Sequence, residues 1–139
     1  MVGLNFVGIS AALATFFSVW MGHALVRKIE RETADLRIPV GIFIALGLSF
    51  AALSLLTPNL ILSAASGILA LTLVWDAHEF IRQQKRVQRG RAPANPNNPR
   101  HAKILAEHPE ATTFDWLDRD PRGSQYSAEE LAAMKESAK

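Results

Sequence analysis

The chain contains no cysteine, so disulfides and thiolate metal sites are excluded at the outset. It also lacks charge over long distances. No Asp, Glu, Lys or Arg occurs in residues 1–26 or in residues 38–74. No basic residue precedes the first apolar run and no short apolar core leads to a small-residue cleavage site, which argues against a cleaved leader. No catalytic triad, phosphate loop or His-Glu-x-x-His spacing is present. These absences leave little ground for an enzyme, and the sequence is read as non-catalytic.

What is present is sorted into two halves, although the mean hydropathy near zero hides this. Residues 1–90 hold the long apolar runs, and residues 91–139 are polar and rich in Pro, Asn, Asp and Glu. A helix rises ~1.5 Å per residue and the hydrocarbon slab is ~30 Å thick, so ~20 apolar residues cross it. The first run makes one crossing. The second is long enough for two, with "TPN" at Thr57–Asn59 as the break. Pro58 has no N–H to donate and suits the first position of a new helix, which Thr57 can cap. The expected architecture is an all-α membrane protein with three transmembrane helices over about 3–26, 38–57 and 58–80. A helical extension runs to residue 90 and completes a domain 1–90. An extended, partly helical cytoplasmic tail occupies 91–139.

Basic residues near helix ends set topology. Arg27, Lys28, Arg31 and Arg37 fall in the expected first loop, and none falls in the second. Arg82, Lys85, Arg86, Arg89 and Arg91 follow the third helix. Three crossings with both basic segments on one face predict an outer N-terminus and a cytoplasmic C-terminus, in a bacterial inner membrane. Arg27, Lys28, Arg82, Lys85, Arg86 and Arg89 then contact anionic lipid headgroups. Nucleic acid is the rival partner for such a run, but topology already accounts for these charges. Trp75 and Phe80 are expected as interfacial aromatics around the exit.

Helices in lipid associate through close packing and hydrogen bonds, because lipid tails are as apolar as leucine. Small residues four apart supply candidate contacts: Gly8 with Ala12, Ser18 with Gly22, Gly47 with Ala51, Ser63 with Gly67. At the cytoplasmic ends stand the polar residues His23, Asp76, His78 and Glu79. Three readings compete. The plain one has His23, Asp76 and Glu79 bonding within the bundle or pairing with Arg27, Lys28 or Arg82. In the second, His23 and His78 bind a haem or a quinone headgroup, although His78 and Asp76, two residues apart, face different ways. In the third, His23, Asp76 and Glu79 form a metal or proton-relay site.

In the tail, Pro93, Pro96 and Pro99 with Asn95, Asn97 and Asn98 preclude long regular structure. "RHAKILAEHPE" predicts a short helix stopping at Pro109. Ser127 with Glu130 makes a capping box, and Tyr126 with Leu131 a staple, for a last helix that is marginal alone in water. Six basic and eight acidic side chains beyond Arg91 suit a protein partner better than anionic lipid. The tail is not expected to fold alone. Its spaced apolar anchors, Ile104, Leu105, Phe114, Trp116, Leu117, Leu131 and Met134, are expected to bind a subunit on the cytoplasmic side.

At "WDAHEFIRQQKRVQRGRAPANP" the sequence resembles a family of small bacterial membrane proteins, domain-of-unknown-function family 4491. Its ending is matched at Trp75, Glu79, Gln83, Lys85, Arg86, Val87, Gly90, Pro93, Asn95 and Pro96. Asn5, Phe6, Gly8 and His23 resemble its first helix. The resemblance covers residues 3–97 and implies three hydrophobic helices but no activity. The family's Pro after the first-helix His is Ala24 in this chain. Together these readings predict an accessory or assembly subunit of a larger inner-membrane complex, without a cofactor of its own. The competing expectation is a haem- or quinone-associated redox subunit using His23 and His78. An oligomeric channel ranks last, since Asn5, Ser10, Thr15 and Ser18 form no continuous polar stripe.

Overall fold

A computed structural model describes residues 4–115 and 128–137. Among them five helices occur and no strand. They are α1 (Val7–Glu32), α2 (Arg37–Leu56), α3 (Leu60–Gln88), α4 (Pro99–Glu107) and α5 (Ala128–Ser137). The first three are long and apolar enough to cross a membrane. At ~1.5 Å per residue, the 20 residues of α2 match the ~30 Å slab, while α1 (26) and α3 (29) exceed it by roughly 9 and 14 Å. Arg27, Lys28 and Arg31 are therefore helical residues of α1. Arg37 opens α2, and the connection between them shrinks to residues 33–36.

The break between α2 and α3 differs in detail from the expected one. Thr57 closes α2, its N–H donating to Leu53 O at 3.0 Å. Pro58 lies outside both helices, and Asn59 caps α3. Its Oδ1 accepts from the N–H groups of Ile61 (3.0 Å) and Leu62 (3.1 Å). An Asn at this position takes up two orphan donors, a cap worth about 1 kcal/mol.

The chain divides into two compact units, one of residues up to 29 with 36–80, the other of 30–35 with residues from 81 onward. In the first, small residues let the helices approach. Ser18 and Thr72 bring their hydroxyls to 3.2 Å, and Gly22 is buried with no room for a side chain beside Asp76. A Cβ on Gly47 would lie 2.7 Å from Val74 Cγ2 and 3.0 Å from Ala70 O. Ser54 and Ser63 exchange hydroxyl-to-carbonyl bonds of 2.8 and 2.7 Å. Three of the four predicted small-residue pairs thus lie at contacts, while Gly8 faces open space. Below them Val26, Phe43, Ala77 and Phe80 form a packed cluster framed by Ile29, Leu36, Val40 and Leu73. Large apolar side chains elsewhere on this unit point outward, Trp20, Ile42, Leu48 and Leu71 among them.

In the second unit, α3 ends in a Schellman turn. Gly90 has φ +62°, its N–H donates to Val87 O (3.1 Å), and the N–H of Arg91 donates to Arg86 O (2.8 Å). Only glycine fits, since a Cβ would also collide with the carbonyl oxygen of Glu110. The chain after it packs Ala92, Ala94, Ile104 and Ala111 on Val87, with Leu105 against them. The N–H of Ala94 donates to Thr112 O at 2.8 Å. Residues 92–115 thus pack with Val87 of α3 around a small core, where the sequence led to the expectation of an extended, partly helical tail that does not fold alone. The α4 helix starts with Asn98 as cap, its Oδ1 accepting from Arg100 N at 3.0 Å. It stops at His108, before Pro109 as predicted. Trp116, Leu117, Tyr126 and Ser127 lie outside the described residues, and with them the expected box and staple.

Candidate functional site

The polar residues predicted at the inner end separate when placed on their helices. Asp76 and Glu79, three apart on α3, are both buried at 6% and 4% exposure. Asp76 abuts Gly22 of α1, whose missing side chain makes room for the carboxylate, with Oδ1 2.8 Å from where a Cβ would sit. It lies within electrostatic reach of His23 and of Glu79. His23 itself is exposed, and Arg27 Nε donates to its carbonyl oxygen at 3.4 Å. His78 is also exposed and stacks obliquely by Trp75, ring centres 6.0 Å apart. The two histidines therefore differ: His23 joins the Asp76 group, and His78 turns to another face of α3. Among the described residues no three of His, Asp or Glu gather as a metal-ligand set.

Phe80 corrects an expectation. It is fully buried, edge-to-face against Phe43 with centroids 5.1 Å apart, and so is a core residue rather than an interfacial one. Trp75 remains exposed.

The most developed polar constellation was not among the predicted site residues. Glu30 is 1% exposed at the end of α1. Its Oε1 accepts from Arg100 Nη1 at 2.9 Å and lies 3.0 Å from His101 Nε2. The N–H of Asn95 donates to His101 Nδ1 at 2.9 Å. A nitrogen that accepts carries no proton, so the imidazole proton is on Nε2 and is donated to Glu30. The last carbonyls of α1 are met by the same segment. Arg31 O accepts from Asn95 Nδ2 (3.3 Å) and Asn98 Nδ2 (2.9 Å). Thr33 O accepts from Asn98 Nδ2 (3.1 Å) and Arg100 Nε (3.2 Å). Arg100 Nη2 also donates to Glu30 O. A helix C-terminus leaves carbonyls without partners and carries partial negative charge, and Asn95, Asn98 and Arg100 answer both needs. Among the described residues every buried side-chain nitrogen or oxygen has a partner.

The other predicted residues fall as follows. Lys28, Arg82, Lys85 and Arg89 are exposed, whereas Arg86 is half-buried with Nη1 donating to Gln83 Oε1 at 2.8 Å. Leu105 packs on the core that Ile104 helps form. Phe114 is half-buried, its N–H donating to Thr112 Oγ1 at 3.1 Å. Leu131 and Met134, also half-buried, share a face of α5.

Fold and site define a class: an all-helical chain with three helices apolar enough to span a bilayer, and a second compact unit in which residues 92–115 meet residues 30–33. The chain belongs to the family described as Domain of unknown function (DUF4491), whose model matches residues 5–98. No curated protein and no solved structure matches the chain. Glu30 lies within the family match, while its partners Arg100 and His101 follow just after it.

Proposed function

We propose that this protein is a non-catalytic accessory subunit of a larger complex in a bacterial inner membrane. It would have its N-terminus outside and the unit after α3 on the cytoplasmic side. The observation that carries this reading is a groove between α2 and α3. Gly47, Leu48, Ala51, Ser54 and Leu55 line it from α2, and Gly67, Ala70, Leu71 and Val74 from α3. Small residues leave the helix backbones within reach, and a partner helix laid there gains close packing that lipid chains cannot match. The buried polar groups are consistent with a structural part. Asp76 fits the space at Gly22, and Glu30 is engaged by Arg100 and His101. Below the membrane, Phe114 and Leu131 remain half-exposed and offer the apolar contacts for a subunit, together with Trp116 and Leu117 in the sequence that links them. Leu105, also half-buried, packs against the core around Val87.

The test is co-purification of the tagged full chain from native membranes in mild detergent. A discrete partner should accompany the wild type and be lost when Ala51→Leu fills the groove. A wild type that purifies alone as a monomer sinks the proposal.

A further inference from the structure

Residues 1–26 and 38–81 hold no Lys or Arg, yet the second stretch holds two acids, Asp76 and Glu79. Glu79 has an interaction of its own. Asp76 is 6% exposed, and among the described residues no group gives its carboxylate a hydrogen bond; His23 and Glu79 act on it through charge alone. Its place follows from the seam between α1 and α3. Ser18 meets Thr72 across that seam, and four residues further along both helices Gly22 meets Asp76. A Cβ on Gly22 would stand 2.8 Å from Oδ1 and 2.9 Å from Cγ, so the carboxylate fills the space of the absent side chain. One side of it is thereby closed by α1. The other is open. Among the described residues every side-chain oxygen sealed from the surface has a hydrogen-bond partner, and Asp76 has none, so its oxygens stay within reach. The nearest cations on α1 do not use them. Arg27 Nε donates to the His23 carbonyl at 3.4 Å, and Lys28 is exposed. Counted from Leu60, the first residue of α3, Asp76 lies about 24 Å along the helix, roughly 6 Å short of the far edge of the slab. An ionised carboxylate at that depth is costly unless a cation is paired with it.

We propose that Asp76 receives the ammonium group of a lysine on a membrane helix of another protein. The proposal deepens the accessory-subunit reading and rests on it, naming a side chain that the partner carries. Charge complementarity selects a cation, and the closed side of the carboxylate selects lysine over arginine. A guanidinium grips a carboxylate through both oxygens as a planar fork, whereas an ammonium is a compact charge that one open oxygen can hold. The long apolar stem of lysine also carries its charge along a lipid-facing helix to this depth. A divalent metal suits the site less well, because among the described residues no three of His, Asp or Glu gather as ligands.

The test treats native membranes holding the full chain with dicyclohexylcarbodiimide, an apolar reagent that activates carboxyl groups inside the bilayer. An amine in contact with the activated Asp76 displaces the urea and forms an amide. Without an amine the activated group rearranges to a stable N-acylurea. Mass spectrometry of the digested chain reads which product residue 76 carries. The expected product is an amide to a lysine of a different polypeptide, lost entirely in Asp76→Asn. An N-acylurea at Asp76, an amide to phosphatidylethanolamine, or an amide to a lysine of this chain in the same or a second copy each overturns the proposal. An unmodified Asp76 overturns it too, since the oxygens would then be closed. The wild-type product decides even where the variant fails to accumulate. Any of these contrary products with a partner still co-purifying leaves the accessory-subunit reading in place, whereas a chain that purifies alone removes both.

Discussion

His101 donates its single imidazole proton to the carboxylate of Glu30, 71 positions earlier in the chain. The direction follows from the Asn95 N–H that occupies Nδ1 at 2.9 Å. One bond therefore ties the end of α1 to a segment that composition alone marks as loose. Around it, Asn95, Asn98 and Arg100 supply donors to the α1 carbonyls. The unit after α3 is thus held by polar capping as much as by its small core of Val87, Ala92, Ala94, Ile104 and Ala111.

Removing Glu30 should release that unit. Glu30→Ala leaves a fully buried His101 without its acceptor and Arg100 with backbone carbonyls alone, and breaking a buried pair in this way costs about 3–5 kcal/mol. Glu30→Gln keeps an acceptor for His101 and should lose less. Limited proteolysis should show cleavage between residues 92 and 115 in the alanine variant, with α1–α3 resistant. Equal protease resistance in wild type and Glu30→Ala would refute the role given to this carboxylate.

Gly90→Ala should have a similar local effect for a different reason. The left-handed conformation costs a non-glycine residue roughly 1–2 kcal/mol, and the added methyl meets the Glu110 carbonyl oxygen. Hydrogen exchange should rise in residues 91–115 and stay unchanged in α2. Wild-type protection throughout would mean that the turn relaxes freely.

Gly22 and Gly8 form a matched comparison on α1. Gly22→Ala forces a methyl against the Asp76 carboxylate and should destabilise the bundle by about 1–3 kcal/mol. Gly8→Ala meets nothing within 4 Å and should be neutral or slightly stabilising, because alanine is the better helix former. Thermal unfolding in one detergent ranks the two variants, and a larger loss at Gly8 would contradict the packing described.

Phe80→Ala and Trp75→Ala should separate two aromatics that the sequence treats alike. Phe80 is buried on Phe43, so its loss opens a cavity and lowers thermal stability. Trp75 is more than half exposed, and its loss should leave the unfolding temperature nearly unchanged. The reverse order would place Phe80 outside the core.

The three long apolar helices were legible because charge-free length is a strong signal, and the break near Pro58 because proline has no N–H to donate. The small residues at Ser18, Gly22, Gly47 and Gly67 were legible from their four-residue spacing. Helix ends were not. Arg27, Lys28 and Arg31 read as loop by their charge, yet α1 continues through them to Glu32. The Glu30 constellation escaped because its members are far apart in sequence and no periodicity links them. One signal existed: Ser18, Gly22, Val26 and Glu30 are all buried at every fourth position of α1. A carboxylate continuing that inward row needs partners, and the asparagines at 95 and 98 with the following Arg-His are what the chain offers. Phe80 misled because the third helix was taken to leave the bundle there, whereas Phe80 still packs edge-to-face on Phe43 of α2.

An accessory subunit requires that the α2–α3 groove receive another protein. The direct measurement places a photo-reactive residue at Ala51 in the groove, and in a second chain at Ile42 on the outward side of α2, with irradiation in native membranes. A discrete protein adduct at Ala51 and none at Ile42 is the predicted result. Lipid adducts alone at both positions would contradict an accessory subunit docked through this groove.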